Sequence, residues 1–91
     1  MYKPRATKQF RKDLRRYTDD FERLLNTTGV MHSLLAGETL PPEFTPHKLK
    51  GEYKDTWECH IESDLLLIWL PDPSTRTLTY VRLGTHSELF G

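Results

Sequence analysis

The segment Trp57–Leu83, WECHIESDLLLIWLPDPSTRTLTYVRL, decides the fold. In its first part Trp57, Cys59 and Ile61 alternate with Glu58, His60 and Glu62, the period of two expected of a strand with one buried face. Leu65 to Leu70 is an unbroken apolar run that reads as a central strand. Pro71 to Thr75 supplies turn-forming residues, and Thr77 to Leu83 reads as a third strand, rich in aromatic and β-branched side chains. Strands joined by such short connections predict an antiparallel meander. On this reading His60 faces away from the core, Cys59 is an inert buried thiol, Trp57 and Trp69 belong to the core, and Asp55 and Glu58 are solvated.

Upstream the period changes. Tyr2 to Ala6 predicts a short strand, and Thr7 is placed to cap a helix whose Phe10, Leu14 and Tyr17 fall on one face at 3.6-residue spacing. Asp19 with Glu22 resembles a capping box for a second helix. Its apolar stripe would comprise Phe21, Leu24, Leu25, Met31, Leu34 and Leu35, with Gly37 as the stop. Gly29 inside that pattern costs roughly 1 kcal/mol relative to Ala and leaves room for a kink or break there. The two helices form a hairpin. ETLPPEFTP, residues 38–46, holds three prolines and reads as an ordered connecting loop. After the last strand, Gly84 ends the pairing, and THSELFG sets His86 and Phe90 four residues apart, aligned if a final helical turn forms.

A chain of 91 residues accommodates one domain with one modest core. Hydrophobic residues make up 36% and charged residues 29%, a balance that excludes disorder. No apolar run approaches the roughly 20 residues of a membrane span, and MYKPRATKQF lacks a signal-peptide core, so a cytoplasmic protein is expected. The single cysteine rules out an internal disulfide. No CxxC, HxH or HExxH spacing is present, and no metal or other cofactor is expected. The formal charge is zero, yet Lys3, Arg5, Lys8, Arg11, Lys12, Arg15 and Arg16 face only Asp13 in the first sixteen residues. A polyanion should therefore meet this segment first.

His47, His60 and His86 each lie beside a predicted strand or strand end, together with Asp64, Arg82 and Phe90; His32 sits in the helix pattern and is given no role. Imidazole titrates near neutrality, so two histidines can take a proton from a ribose 2′-hydroxyl and return one to a leaving 5′-oxygen. A cation such as Arg82 can stabilise charge developing on the scissile phosphate, a carboxylate can orient an imidazole, and an aromatic ring can stack a splayed base.

HKLKG, WECHIESDLLLIW and YVRLGTHSELFG resemble the YafQ group of RelE-type toxins, most specifically in the ending R-x-G-T-H-x-x-L-F-G. The resemblance covers about half the chain closely. It implies an α+β fold in which an N-terminal strand and a two-helix hairpin precede a curved antiparallel sheet and a short C-terminal helical element around a concave RNA site. It also implies a metal-independent endoribonuclease that cuts messenger RNA on the ribosome and halts translation. Such a toxin would be held in check by a cognate antitoxin, through which it would reach operator DNA. His47, His60, Asp64, His86 and Phe90 match functional positions of the group. As an expectation, His86 is the general acid, His47 or His60 the base, and Asp64 orients or polarises a neighbour. Arg82 would hold the phosphate and Phe90 stack a base, with Lys48 and Lys50 of HKLKG completing the substrate-binding set.

Two other classes compete. A ParE-like inhibitor of DNA gyrase would share the fold and the antitoxin but have no use for three histidines together. A purely regulatory module would bind its antitoxin on operator DNA and have no activity of its own. The basic first helix could equally meet ribosomal RNA or an acidic antitoxin segment.

Overall fold

The computed structural model describes residues Met1–Gly91. Strand β1 (Lys3–Ala6) leads into helices α1 (Lys8–Arg15) and α2 (Phe21–Leu35), followed by β2 (His47–Lys48), β3 (Trp57–Glu62), β4 (Leu65–Asp72), β5 (Thr77–Gly84) and α3 (His86–Phe90). The five strands form one sheet in the order β1-β5-β4-β3-β2. The β3-β4-β5 meander is antiparallel, as its short connections require, whereas β1 lies parallel to β5, with Lys3 opposite Thr77 and Ala6 opposite Tyr80.

β4 is the middle strand and its first five residues are buried on both faces. Alternation sorts those residues into two cores. Leu65, Leu67 and Trp69 join Cys59, Ile61, Leu78, Tyr80 and Leu83 under α1 and α2, where Phe10, Tyr17, Val30 and Leu34 close the main core. Leu66 and Ile68 point to the other face, where Leu89 of α3 covers them with Leu49, Tyr53 and Val81 around it. That second face carries the candidate site.

Thr7 caps α1 as expected: its hydroxyl oxygen accepts from the Phe10 N–H at 2.9 Å and donates to the Val81 carbonyl at 2.8 Å, tying helix start to β5. Two expectations for α2 are corrected, the cap and the buried stripe, and the opening left for a kink at Gly29 is closed. Its N-cap is Asp20, whose carboxylate accepts from the Arg23 N–H, rather than Asp19. The helix runs through Gly29 unbroken, because that residue is exposed and the turns on either side are anchored by buried Thr27 and Val30. Phe21 and Leu25 are 75% and 58% exposed and lie outside the buried stripe, which follows Thr27, Val30 and Leu34.

The expected turn at Pro71–Thr75 is shifted. β4 continues through Pro71 and Asp72, paired with Leu78 and Thr77, and the turn spans residues 73–76. Beyond Trp69, β4 has a neighbour on one side only, a position at which a strand accommodates a residue without an N–H. Residues 38–46 form a connecting loop that holds a single 3₁₀ turn, Pro42–Phe44. The two-residue β2, which sequence patterning did not reveal, pairs with β3 and sets His47 opposite Glu58. No helix is long and apolar enough to cross a membrane.

Candidate active site

β3, β4 and the first turn of α3 bound a cleft of about 420 Å³ lined by His47, Glu58, His60, Ser63, Asp64, Leu66 and His86. Glu58 and His60 are two residues apart on β3 and share its outer face. His47 arrives from β2, directly across from Glu58. Asp64 sits in the tight β3–β4 connection, next to a register shift between His60 and Glu62 of the kind that re-aims side chains at a strand end. His86 enters from the opposite rim as the first residue of α3.

Asp64 accepts a hydrogen bond from the backbone N–H of His86 at 3.1 Å, so the carboxylate fixes the histidine through its main chain. Thr85 caps α3 in a reciprocal box: its side chain accepts from the Glu88 N–H, and the Glu88 carboxylate accepts from the Thr85 N–H at 2.7 Å. The same carboxylate accepts from the Tyr17 hydroxyl and from Arg16, each at 3.1 Å. These bonds, led by that from the Thr85 backbone, hold Glu88 below the ordinary carboxyl range. A Cβ on Gly84 would come within 2.9 Å of Glu88 Oε1 and 3.3 Å of Leu89, so a larger residue at the strand end would push the Glu88 carboxylate from its place.

The His86 ring meets Phe90 edge to face with centroids 5.0 Å apart, the alignment expected from their spacing, and Phe90 meets Tyr53 the same way at 5.8 Å. Phe90 keeps 45% of its surface exposed beside the cleft. Arg82 donates to Tyr53 at 3.3 Å and forms a two-pronged pair with buried Asp13, Nε to Oδ2 at 2.8 Å and an η nitrogen to Oδ1 at 3.2 Å. The bond to Asp13 raises the Arg82 pKa further. This places Arg82 behind the cleft wall, in contact with the aromatic pair that supports His86. Lys48 and Lys50 are exposed outside the cleft lining, and the Lys48 ammonium sits 5.9 Å from the centre of the Trp57 ring.

The structure thus brings His47, His60, Asp64 and His86 to one cleft. It corrects the reading of Glu58 as solvated: the residue is 5% exposed, and its Oε1 lies 3.3 Å from His47 Nε2. The alternation that placed His60 also placed Glu58 beside it, but the pairing with His47 depends on β2. Asp13, Tyr53 and Glu88 were likewise missed, since their partners lie 29 to 72 positions away. No three His, Cys, Asp or Glu side chains are disposed to hold a metal ion.

A small α+β protein with a histidine-lined cleft on the outer face of its sheet has the layout of the RelE-type toxins. The chain belongs to the YafQ family, described as bacterial toxins of type II toxin-antitoxin systems, whose model matches residues 2–91. It is similar to the mRNA interferase toxin YafQ of Escherichia coli strain B, at 33% identity over 90 residues, 91% of this chain and 89% of that protein. Its structure resembles that of a metal-bound toxin from Helicobacter pylori, with TM-score 0.89 and 39% identity over 99% of this chain and 100% of that one. It also resembles YafQ in the Escherichia coli DinJ-YafQ complex, with TM-score 0.88 and 26% identity over the full length of both chains. Of the activities that the sequence left open, membership of this family does not favour gyrase inhibition.

Proposed function

We propose that this chain is an endoribonuclease that cuts messenger RNA in the ribosomal decoding site by attack of a ribose 2′-hydroxyl on the adjacent phosphate. The convergence of three histidines and Asp64 in one cleft carries this reading. One histidine on the sheet, His47 or His60, removes the 2′-hydroxyl proton as O2′ bonds to phosphorus. His86, on the opposite rim, donates a proton to the departing O5′ as the P–O5′ bond breaks, leaving a 2′,3′-cyclic phosphate and a 5′-hydroxyl. Asp64 contributes by holding the His86 backbone. Phe90, half exposed and packed on His86, offers its free face to a splayed base. Arg82, committed to Asp13 and Tyr53, braces the wall behind Phe90, and the exposed ammonium groups of Lys48 and Lys50 attract the RNA backbone.

The natural regulator is an antitoxin, as in the DinJ-YafQ complex, and through it the pair would bind operator DNA. The site of action is the cytoplasm. Primer extension on a reporter message after brief induction tests the reading. Wild type should create discrete new 5′ ends within the translated frame, and His86→Gln, checked for folding, should create none, given a loss of about 10² to 10⁴ in rate for one proton-transfer group. Growth arrest with intact messages would overturn it.

A further inference from the structure

The interior of the cleft wall holds an acid that the reaction as written does not use. Glu58 has a side chain 7% exposed, and its Oε2 is buried without a hydrogen-bond partner. The charged group that faces it is the ring of His47, with Nε2 at 3.3 Å from Oε1. The other ring nitrogen is committed: Nδ1 lies 2.8 Å from the Thr45 carbonyl, an acceptor only, so Nδ1 carries a hydrogen. A neutral His47 would then direct the Nε2 lone pair at an anionic oxygen. A proton on Nε2 removes that repulsion and gives the buried carboxylate its counter-charge, without which burial of an unpaired anion is costly.

We propose that Glu58 is a positioning residue that keeps His47 as an imidazolium, so that His47 supplies positive charge to the reacting phosphate and His60 is left as the base. The inference rests on the nuclease reading above and resolves the choice that reading leaves between two histidines. His47 has no lone pair to accept the 2′-hydroxyl proton. His60 shares the outer face of β3 with Glu58 and lines the same cleft, so the proton passes from O2′ to His60 while His86 protonates O5′. The role of His47 is then electrostatic, matching the negative charge that builds on the non-bridging oxygens.

Two measurements test this. A long-range proton–nitrogen NMR spectrum of the histidine rings at neutral pH should show both His47 nitrogens protonated in the wild-type protein and only one in Glu58→Gln. In single-turnover cleavage of a short message on programmed ribosomes, Glu58→Gln should lower the rate about 10- to 100-fold with little change in KM. The same substitution made in a His47→Gln background should add almost nothing, as expected of two residues acting as one unit. A singly protonated His47 in the wild type overturns the proposal without recourse to any variant. So does a Glu58→Gln protein that cuts at the wild-type rate. Failure of wild type to cut at all would instead overturn the nuclease reading, and the ring spectrum would still decide the His47–Glu58 pairing.

Discussion

Asp13 of α1 and Arg82 of β5 form the buried ion pair of the molecule, with Nε 2.8 Å from Oδ2, and the fully buried carboxylate also accepts the Leu83 N–H at 3.0 Å. The pair fastens the first helix to the strand that leads into α3. Removing one partner of such a pair strands the other charge, at a cost of about 3 to 5 kcal/mol. Asp13→Ala should therefore lower the urea midpoint by a large fraction of total stability with an unchanged denaturant slope, while an exposed control such as Asp19→Ala should have almost no effect.

The same carboxylate predicts the acid response. Burial alone would raise the Asp13 pKa, but hydrogen bonds from Arg82, the Leu83 N–H and Gln9 outweigh it and hold the group below its ordinary value of 3.8. A carboxyl whose pKa is depressed on folding contributes stability above the unfolded value, and that stability is lost as pH falls through the folded value. Stability measured by urea titration should be level down to about pH 5 and fall steeply below about pH 4. Asp13→Asn, weaker at neutral pH, should show a shallower decline over that acid window.

Glu88 lines no part of the cleft, yet it accepts bonds from Thr85, Tyr17 and Arg16 and so moors α3 to α1. Glu88→Ala removes half of a capping box and should cost about 1 kcal/mol in a melting experiment. Its effect on message cleavage should be larger than that figure suggests, because the loosened helix carries both His86 and Phe90. Gly84→Ala, which crowds the same carboxylate, should act in the same direction.

Cys59 is fully buried in the main core, and burial, with the neighbouring Glu58 charge, pushes its thiol up to about 12. Since the thiolate is the reactive form, iodoacetamide at mildly alkaline pH should leave the native protein unlabelled and label it completely in denaturant. Labelling of the native state would show that the core opens.

The three long strands and both main helices were legible because periodicity is a local property, and here each face is strongly apolar. His47, His60, Asp64 and His86 were named from the residues and motifs, but their convergence is fixed by pairings distant in sequence. β2 is two residues long, too short to have a period, and it alone sets His47 against Glu58. Asp13 was counted as a lone acid in a basic segment, since nothing nearby indicates that its partner is 69 positions away. Pro71 was read as a turn because proline usually breaks pairing, and only the sheet order shows that β4 has one open side there.

The parallel pairing of β1 with β5 has a temporal side. A strand made near the start of synthesis waits for a partner that begins at Thr77, and the Thr7–Val81 bond closes a loop of 74 positions. Closure of so long a loop is slow compared with formation of the helical hairpin. His86 lies beyond that late strand, so any nascent chain that ends before β5 has both an unfinished sheet edge and no His86. The lining of the cleft is therefore complete only after the step that completes the sheet.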